Sequence, residues 1–230
     1  RGTGIGRALM EWSVTRSQER FAARDHDLPR YMRINVYDWL DDRHRLYRRF
    51  GFAAVRWSDE LIRPLHDIPH ATTVEGVTLV PWPDDRDEEL RALRNAAFAD
   101  SWGSIVLSPD VWREHTHSYG ARLALSVIAV DDATGAAVGS CANAFYPEDA
   151  TVTGRKDAWI GNIATLREWR GRGIASAMLV WSLGAFARAG FTHAVLDVDT
   201  DNPTGAARLY RNLGFETNHH AIIFQREVPK

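Results

Sequence analysis

The sequence predicts an α/β (α+β) fold: a mixed, mostly antiparallel central sheet flanked by helices, present as one complete module plus the C-terminal half of a second. Three observations carry this reading. The opening phrase Arg1-Gly-Thr-Gly-Ile-Gly6 returns as Arg170-Gly-Arg-Gly-Ile-Ala175. Tyr47-Arg-Arg-Phe-Gly-Phe52 likewise returns as Tyr210-Arg-Asn-Leu-Gly-Phe215. Between each pair of phrases, hydrophobic periodicity gives the same order of helix, strand and helix, as expected of a duplicated unit.

The first copy reads as a helix from Gly6 to about Arg24, a strand over Met32–Trp39, a helix over Asp41–Arg49 and a strand running to about Leu65. A Pro-containing link follows, about Pro64–Thr73. The next hundred or so residues have no counterpart at the start. Within them, 76–82 alternates as a strand should, and 84–98 places acidic residues in a first helical turn ahead of an apolar stripe. Ser108 is set to N-cap a short helix with Pro109 at its first position. Residues 123–130 and 136–146 flank the hairpin signal "DDATG", and 158–166 form a further strand feeding Arg170. The second copy then continues as a helix over Ile174–Ala189, a strand over Ala194–Asp199, a helix over Thr204–Asn212 and a strand over Ala221–Val228. The expected boundaries are 1–65 for the half-module, 66–75 for a linker and 76–230 for the complete module. Because the first copy lacks its front half, the chain is expected to be a fragment of a longer one.

Composition narrows the function classes. Lys+Arg 28 against Asp+Glu 30 leaves a formal net charge of −2, which creates no field favouring nucleic acid or an anionic membrane. Cys141 is the one cysteine, so an intrachain disulfide and a multi-cysteine metal site are both excluded. No apolar run reaches the roughly 18 residues that span a bilayer, and no signal peptide is visible. A cytoplasmic location is therefore expected. The nine Trp supply rings for core and pocket wall.

In the second copy a strand ends near Thr165, a polar turn follows, and a helix begins at the glycines. Gly171 and Gly173 remove side chains where the backbone turns, leaving N–H groups exposed at a helix N-terminus, where free donors and the helix dipole favour phosphate. A plain tight turn would read the same way. With "DTDNPTGAARLYRNLGF" downstream, the whole phrase resembles the GNAT superfamily of acyl-CoA-dependent N-acyltransferases, in its tandem-domain form. The resemblance covers about Val77 to Val228 fully, and Arg1 to Leu65 as the back half of another module. It implies the GNAT fold, acetyl-CoA as cofactor with no metal, and direct attack of a small-molecule primary amine on the thioester. Arg170, Gly171, Arg172, Gly173, Ile174 and Ala175 would hold the pyrophosphate. Ile163, Ala164 and Thr165 would present a strand edge to pantetheine, and Asn202 and Tyr210 would lie beside the thiol, with Tyr210 as general acid. The acceptor pocket would draw on Phe98, Asp100, Trp102, Trp112, Asn143, Phe145 and Tyr146; core packing is the competing role for the rings.

Many members of that family carry Glu on the strand before the turn, and this strand has none. Asp157, thirteen residues before Arg170, is the candidate base, with solvation in a turn as its alternative. Asn162 could orient a water instead, and His115 and His117 are further candidates. The first copy's later helix lacks the Asn-Pro-Thr-Gly stretch, so a structural role is expected for that copy. Two other readings stay open: a non-catalytic acyl-CoA-binding protein on a decayed scaffold, and a protein N-acetyltransferase.

Overall fold

The computed structural model describes residues 3–23, 29–70, 72–201 and 205–228. In chain order its elements are α1 (Ile5–Ala22), β1 (Tyr31–Tyr37), α2 (Asp41–Arg49), β2 (Ala53–Pro64), β3 (Val77–Pro81), α3 (Asp87–Ala97), α4 (Pro109–Thr116) and β4 (Val127–Asp131). There follow β5 (Ala137–Ala144), α5 (Pro147–Thr153), β6 (Asp157–Thr165), α6 (Ile174–Arg188), β7 (His193–Asp199), α7 (Ala206–Asn212) and β8 (Glu216–Glu227). The strands make a mixed, mostly antiparallel sheet flanked by helices, the predicted class. The chain divides into two units: a smaller one of 1–60, 198–201 and 217–230, and a larger one of 61–197 and 202–216.

In the smaller unit β1 pairs antiparallel with β8, from Tyr31↔Glu227 to Tyr37↔Ala221. Met10 and Val14 of α1 close over Val36, Phe52 and Phe224 to form its core.

In the larger unit β3, β4, β5 and β6 are successive antiparallel neighbours, and β6 pairs with β7 in parallel. Acidic Asp87, Glu88 and Glu89 occupy the first turn of α3, where the helix dipole favours them. Glu89 also pairs with Arg86 and accepts the Ala137 N–H at 2.7 Å, which ties α3 to the head of β5. The apolar stripe of α3, Leu90, Leu93 and Ala97, packs on Trp82, Trp112, Ile128 and Ala164. Ser108 caps α4 by accepting the Val111 N–H, with Pro109 at the first position, as expected.

One helix is additional to those expected, and the largest shifts in boundary fall at β4 and β8. Helix α5 has no apolar periodicity because none of its residues is buried; Pro147 at its start and Gly154 in the left-handed conformation at its end define it instead. The strand expected from residue 123 begins at Val127, after a 3-10 turn over Leu123–Leu125. Strand β8 begins at Glu216 rather than Ala221, because polar side chains bond along it: Asn218 donates to Glu60 at 2.6 Å, and His220 meets Asp59 at 2.7 Å.

Cys141 lies buried on β5, where its thiol and the Ser182 hydroxyl are 3.5 Å apart. Burial pushes the Cys141 thiol up to about 12 from its ordinary 9.0. Burial, and then the Cys141 thiol, push the Tyr210 phenol up to about 12 from 10.0. Both groups hold their protons in the folded state over a range where the unfolded chain releases them. The stability they contribute is intact below about pH 9 and is lost as pH rises toward 12, at up to about 1.4 kcal/mol per pH unit for each group. Urea titrations at a series of alkaline pH values should show this decline, and Cys141→Ala should make it shallower.

Candidate active site

Strand β6 is the frame of the site. Along one edge it pairs with β5, from Trp159↔Ala144 to Thr165↔Gly139. Along the other it pairs with β7 only at Asp157↔His193, Ala158↔Ala194 and Trp159↔Val195. The register on β5 slips between Ala142 and Asn143, which leaves Gly161 as an extra residue of β6. An extra residue bends a strand and sharpens its twist, and this one falls where β6 and β7 part. The backbone of 160–165 therefore runs on with β5 alone as its partner strand. Two buried polar atoms bracket the stretch, Trp159 Nε1 and Thr165 Oγ1, and neither has a hydrogen-bond partner among the described residues.

At its end β6 passes through a 3-10 turn, Arg167–Trp169, into the glycine phrase. Gly171 (φ 78°) and Gly173 (φ 86°) take the left-handed conformation that other residues reach only with strain, and a Cβ at either would point into open space. Arg170 anchors the turn, donating to the Thr165 carbonyl at 3.3 Å and to the Ala97 carbonyl of α3 at 2.7 Å. Arg172 stacks on Trp169 at 4.5 Å.

The first backbone bond of α6 runs from Ala177 N–H to the Gly173 carbonyl. The amides of Ile174, Ala175 and Ser176 are thus left over, and no acidic side chain sits in that first turn to take them. Gly139 draws α6 close: a Cβ there would lie 3.0 Å from Met178 Cε and 3.2 Å from both the Ala164 carbonyl and Ile174. An open strand edge thereby leads to a ring of free amides. The orphaned Thr165 hydroxyl and the vacant space beside Gly171 and Gly173 fit a pantetheine–pyrophosphate chain.

Tyr210 on α7 is 6% exposed, with its ring edge on Phe215. Cys141, whose thiol contributes to the raised phenol, sits on β5 opposite Ile163. Ile163, Ala164 and Thr165 run along the open stretch of β6. Asn202 lies outside the described residues.

Asp157 is buried at the opposite end of β6, eight residues or about 26 Å of strand from Thr165. Its carboxylate accepts from Arg155 at 3.0 and 3.2 Å and stands 3.7 Å from His193. Asn143 is buried with its amide donating to the Leu125 carbonyl at 2.6 Å and to Ser182 at 3.0 Å. Asp100 pairs with Arg167. Trp102 and Tyr146 are exposed, whereas Trp112 is buried against Trp82 and Phe145 packs edge-on against Phe191. Phe98 lies beneath Arg94. Asn162 is half-buried, His115 is exposed, and His117 bonds Thr116.

Sequence reasoning did not foresee Gly161, Gly139 or the grip of Arg170 on α3. The glycines were the available signal, since each stands inside a strand.

In the smaller unit Gly4 (φ 80°) opens α1 as Gly173 opens α6. A cavity of about 340 Å³ lies there, lined by residues that include Gly4, Gly6, Arg7, Arg45 and Arg49.

Comparison with known proteins agrees with this geometry. Residues 87–215 match the model of the acetyltransferase (GNAT) family. The mycothiol acetyltransferase of Pseudarthrobacter chlorophenolicus is 29% identical over 175 residues, 74% of this chain and 52% of the relative, so the chain spans about half the relative's length. A GCN5-related N-acetyltransferase from Sphaerobacter thermophilus superposes with TM-score 0.78 at 26% identity, covering 100% of this chain and 70% of that one. A tandem GNAT protein from the clavulanic acid biosynthesis pathway has the same fold, with TM-score 0.66 at 21% identity over 100% of this chain and 72% of its own.

The ion pair at the head of β6 can be tested separately. Asp157→Asn leaves the Arg155 guanidinium without its charge partner and should lower stability by about 1–3 kcal/mol in chemical denaturation.

Proposed function

This chain belongs to the acetyltransferase (GNAT) family, and from that premise we propose that it moves an acetyl group from acetyl-CoA to a primary amine of a small molecule. One observation carries the proposal: the edge of β6 left open beyond Trp159 runs straight to the glycine turn and the free amides of α6. Similarity to a mycothiol acetyltransferase supports a small-molecule acceptor.

Bound acetyl-CoA supplies a thioester whose carbonyl carbon accepts the amine and whose sulfur departs. The chain's own residues do the rest. The amides of Ile174, Ala175 and Ser176, with those of the turn before them, bind diphosphate, helped by the dipole of a fifteen-residue helix. Backbone groups of Ile163, Ala164 and Thr165 would orient the pantetheine arm, and an N–H on that edge would supply a donor to the carbonyl oxygen as it gains charge. Tyr210 would meet the sulfur, the place the family resemblance gives it together with Asn202.

Tyr210 keeps its proton throughout the physiological range. It donates that proton toward the departing thiolate while the C–S bond breaks. A phenol near 12 is a weaker acid than an ordinary thiol in water. The burial that raises the phenol also disfavours a bare thiolate beside it, which brings donor and acceptor closer in strength. Before attack the bound ammonium must give up a proton; Asp157, held by Arg155, would take it only through intervening water, and the neutral amine then attacks the carbonyl carbon. We assign Trp102 and Tyr146, both exposed, to the acceptor side with Asp100, whose carboxylate also pairs with Arg167; rings and a carboxylate suit a cationic amine.

A thiol-release assay over a panel of amines tests the reading; release without any amine dependence would overturn it. Tyr210→Phe should lower kcat about 10²-fold while KM for acetyl-CoA changes little. Gly173→Asp should abolish the calorimetric heat of acetyl-CoA binding. Its Cβ strains a left-handed position, and its carboxylate competes for the same amides.

A further inference from the structure

Two twelve-residue strands close the two copies. β2 (Ala53–Pro64) and β8 (Glu216–Glu227) stand 163 positions apart, the same offset that separates Tyr47 from Tyr210. At that offset Arg63 corresponds to Arg226, and Phe50 corresponds to Leu213. The two arginines make the same bond. Arg63 Nε donates to the Leu213 carbonyl at 2.5 Å, and Arg226 Nη1 donates to the Phe50 carbonyl at 2.8 Å. Each carbonyl belongs to the C-cap residue of the helix that bears its copy's tyrosine. In both cases the arginine comes from the other copy. Arg63, on the first copy's closing strand, belongs to the larger unit with α7, and Arg226, on the second copy's, belongs to the smaller unit with α2.

The two grips differ in depth. Arg63 is 6% exposed and also donates to the carbonyls of Pro64 at 2.8 Å, His66 at 3.5 Å and Asp67 at 2.9 Å. One guanidinium thereby fastens the start of the linker to the end of α7. The left-handed Gly214 makes room, since a Cβ there would stand 3.2 Å from Arg63 Nε. The turn it holds closes on the tyrosine itself: Leu213 and Phe215 both donate their N–H to the Tyr210 carbonyl, at 3.0 and 3.1 Å. A cation at a helix C-terminus also meets the negative end of the dipole.

We propose that Arg63, delivered by the closing strand of the first copy, is a positioning residue for Tyr210, clamping the last turn of α7 so that the phenol keeps its place. The inference rests on the role given to Tyr210 above. It makes the first copy a supplier of part of the catalytic unit.

The test compares Arg63→Met and Arg226→Met in the full chain, each with and without Tyr210→Phe, by steady-state acetyl transfer and amide hydrogen exchange. Arg63→Met should speed exchange over 206–215 and lower kcat about tenfold, with KM for acetyl-CoA within about twofold. In the Tyr210→Phe background its effect on kcat should shrink below about twofold. Arg226→Met should speed exchange over 41–52 and leave kcat within about twofold. Arg63→Lys keeps one donor and should recover most of the lost rate; if Arg63→Met fails to fold, Arg63→Lys takes its place, with a smaller drop that again vanishes without the phenol.

An unchanged kcat overturns the proposal, as does a loss that persists beside Tyr210→Phe, or an equal loss from Arg226→Met. If the wild-type chain acetylates no amine in the panel, the functional reading fails. Exchange then still decides the clamp, and unaltered exchange over 206–215 in the Arg63 variant overturns it.

Discussion

Backbone donors and acceptors on β6 lose their neighbour strand at Trp159, and the larger unit is arranged so that this loss persists without collapse. An open strand edge invites pairing with any other chain and carries backbone groups that are costly to leave unmet. Gly161 adds the residue that turns β6 aside. Arg170 then holds the strand's far end to α3 through the Ala97 carbonyl, and Gly139 lets α6 settle against β5. Each device keeps β6 where β7 cannot reach it. The same devices deliver the N-terminus of α6 to the end of the gap, so the open edge and the free amides form one continuous polar track.

This track also explains why so many polar side chains nearby are already committed. Asn143, Ser182 and Cys141 bond one another beneath α6, and Asp157 is tied to Arg155. Buried polar groups need partners, and a satisfied network fixes one arrangement of the strands. Thr165 Oγ1 and Trp159 Nε1, at the two ends of the open stretch, are two of the buried polar atoms without a partner among the described residues; Trp82 Nε1 in the core beside α3 is another. The Thr165 hydroxyl, at the end of the open edge, is the one that a chain laid along that edge could satisfy.

Much of this was legible in the residues. The repeated phrases located α1, α6, α7 and both closing strands, and the glycine pattern located the left-handed turns at 171 and 173. Ser108-Pro109 announced the start of α4. What stayed hidden depends on partners distant in sequence. Arg63 lies 150 residues from the carbonyl it holds, and Arg226 lies 176 from its own. Nothing local distinguishes either from the many other arginines of this Arg-rich chain. The bulge at Gly161 is a matter of register between β5 and β6, which periodicity alone does not specify. Helix α5 is exposed all round and so carries no stripe to read.

The clearest lesson comes from the two helices that open on the same phrase. Ile174 and Met178 of α6 are 1% and 0% exposed, while their counterparts Ile5 and Leu9 on α1 are 65% and 60% exposed. Both sequences specify a helix with a left-handed glycine at its head. Burial is decided by what lies beneath, and α6 has β4, β5 and β6 there. A glycine turn presents amides wherever it occurs, but it becomes a cofactor grip only when a strand edge ends at it. In the larger unit that condition is met where β6 runs into the glycines that open α6.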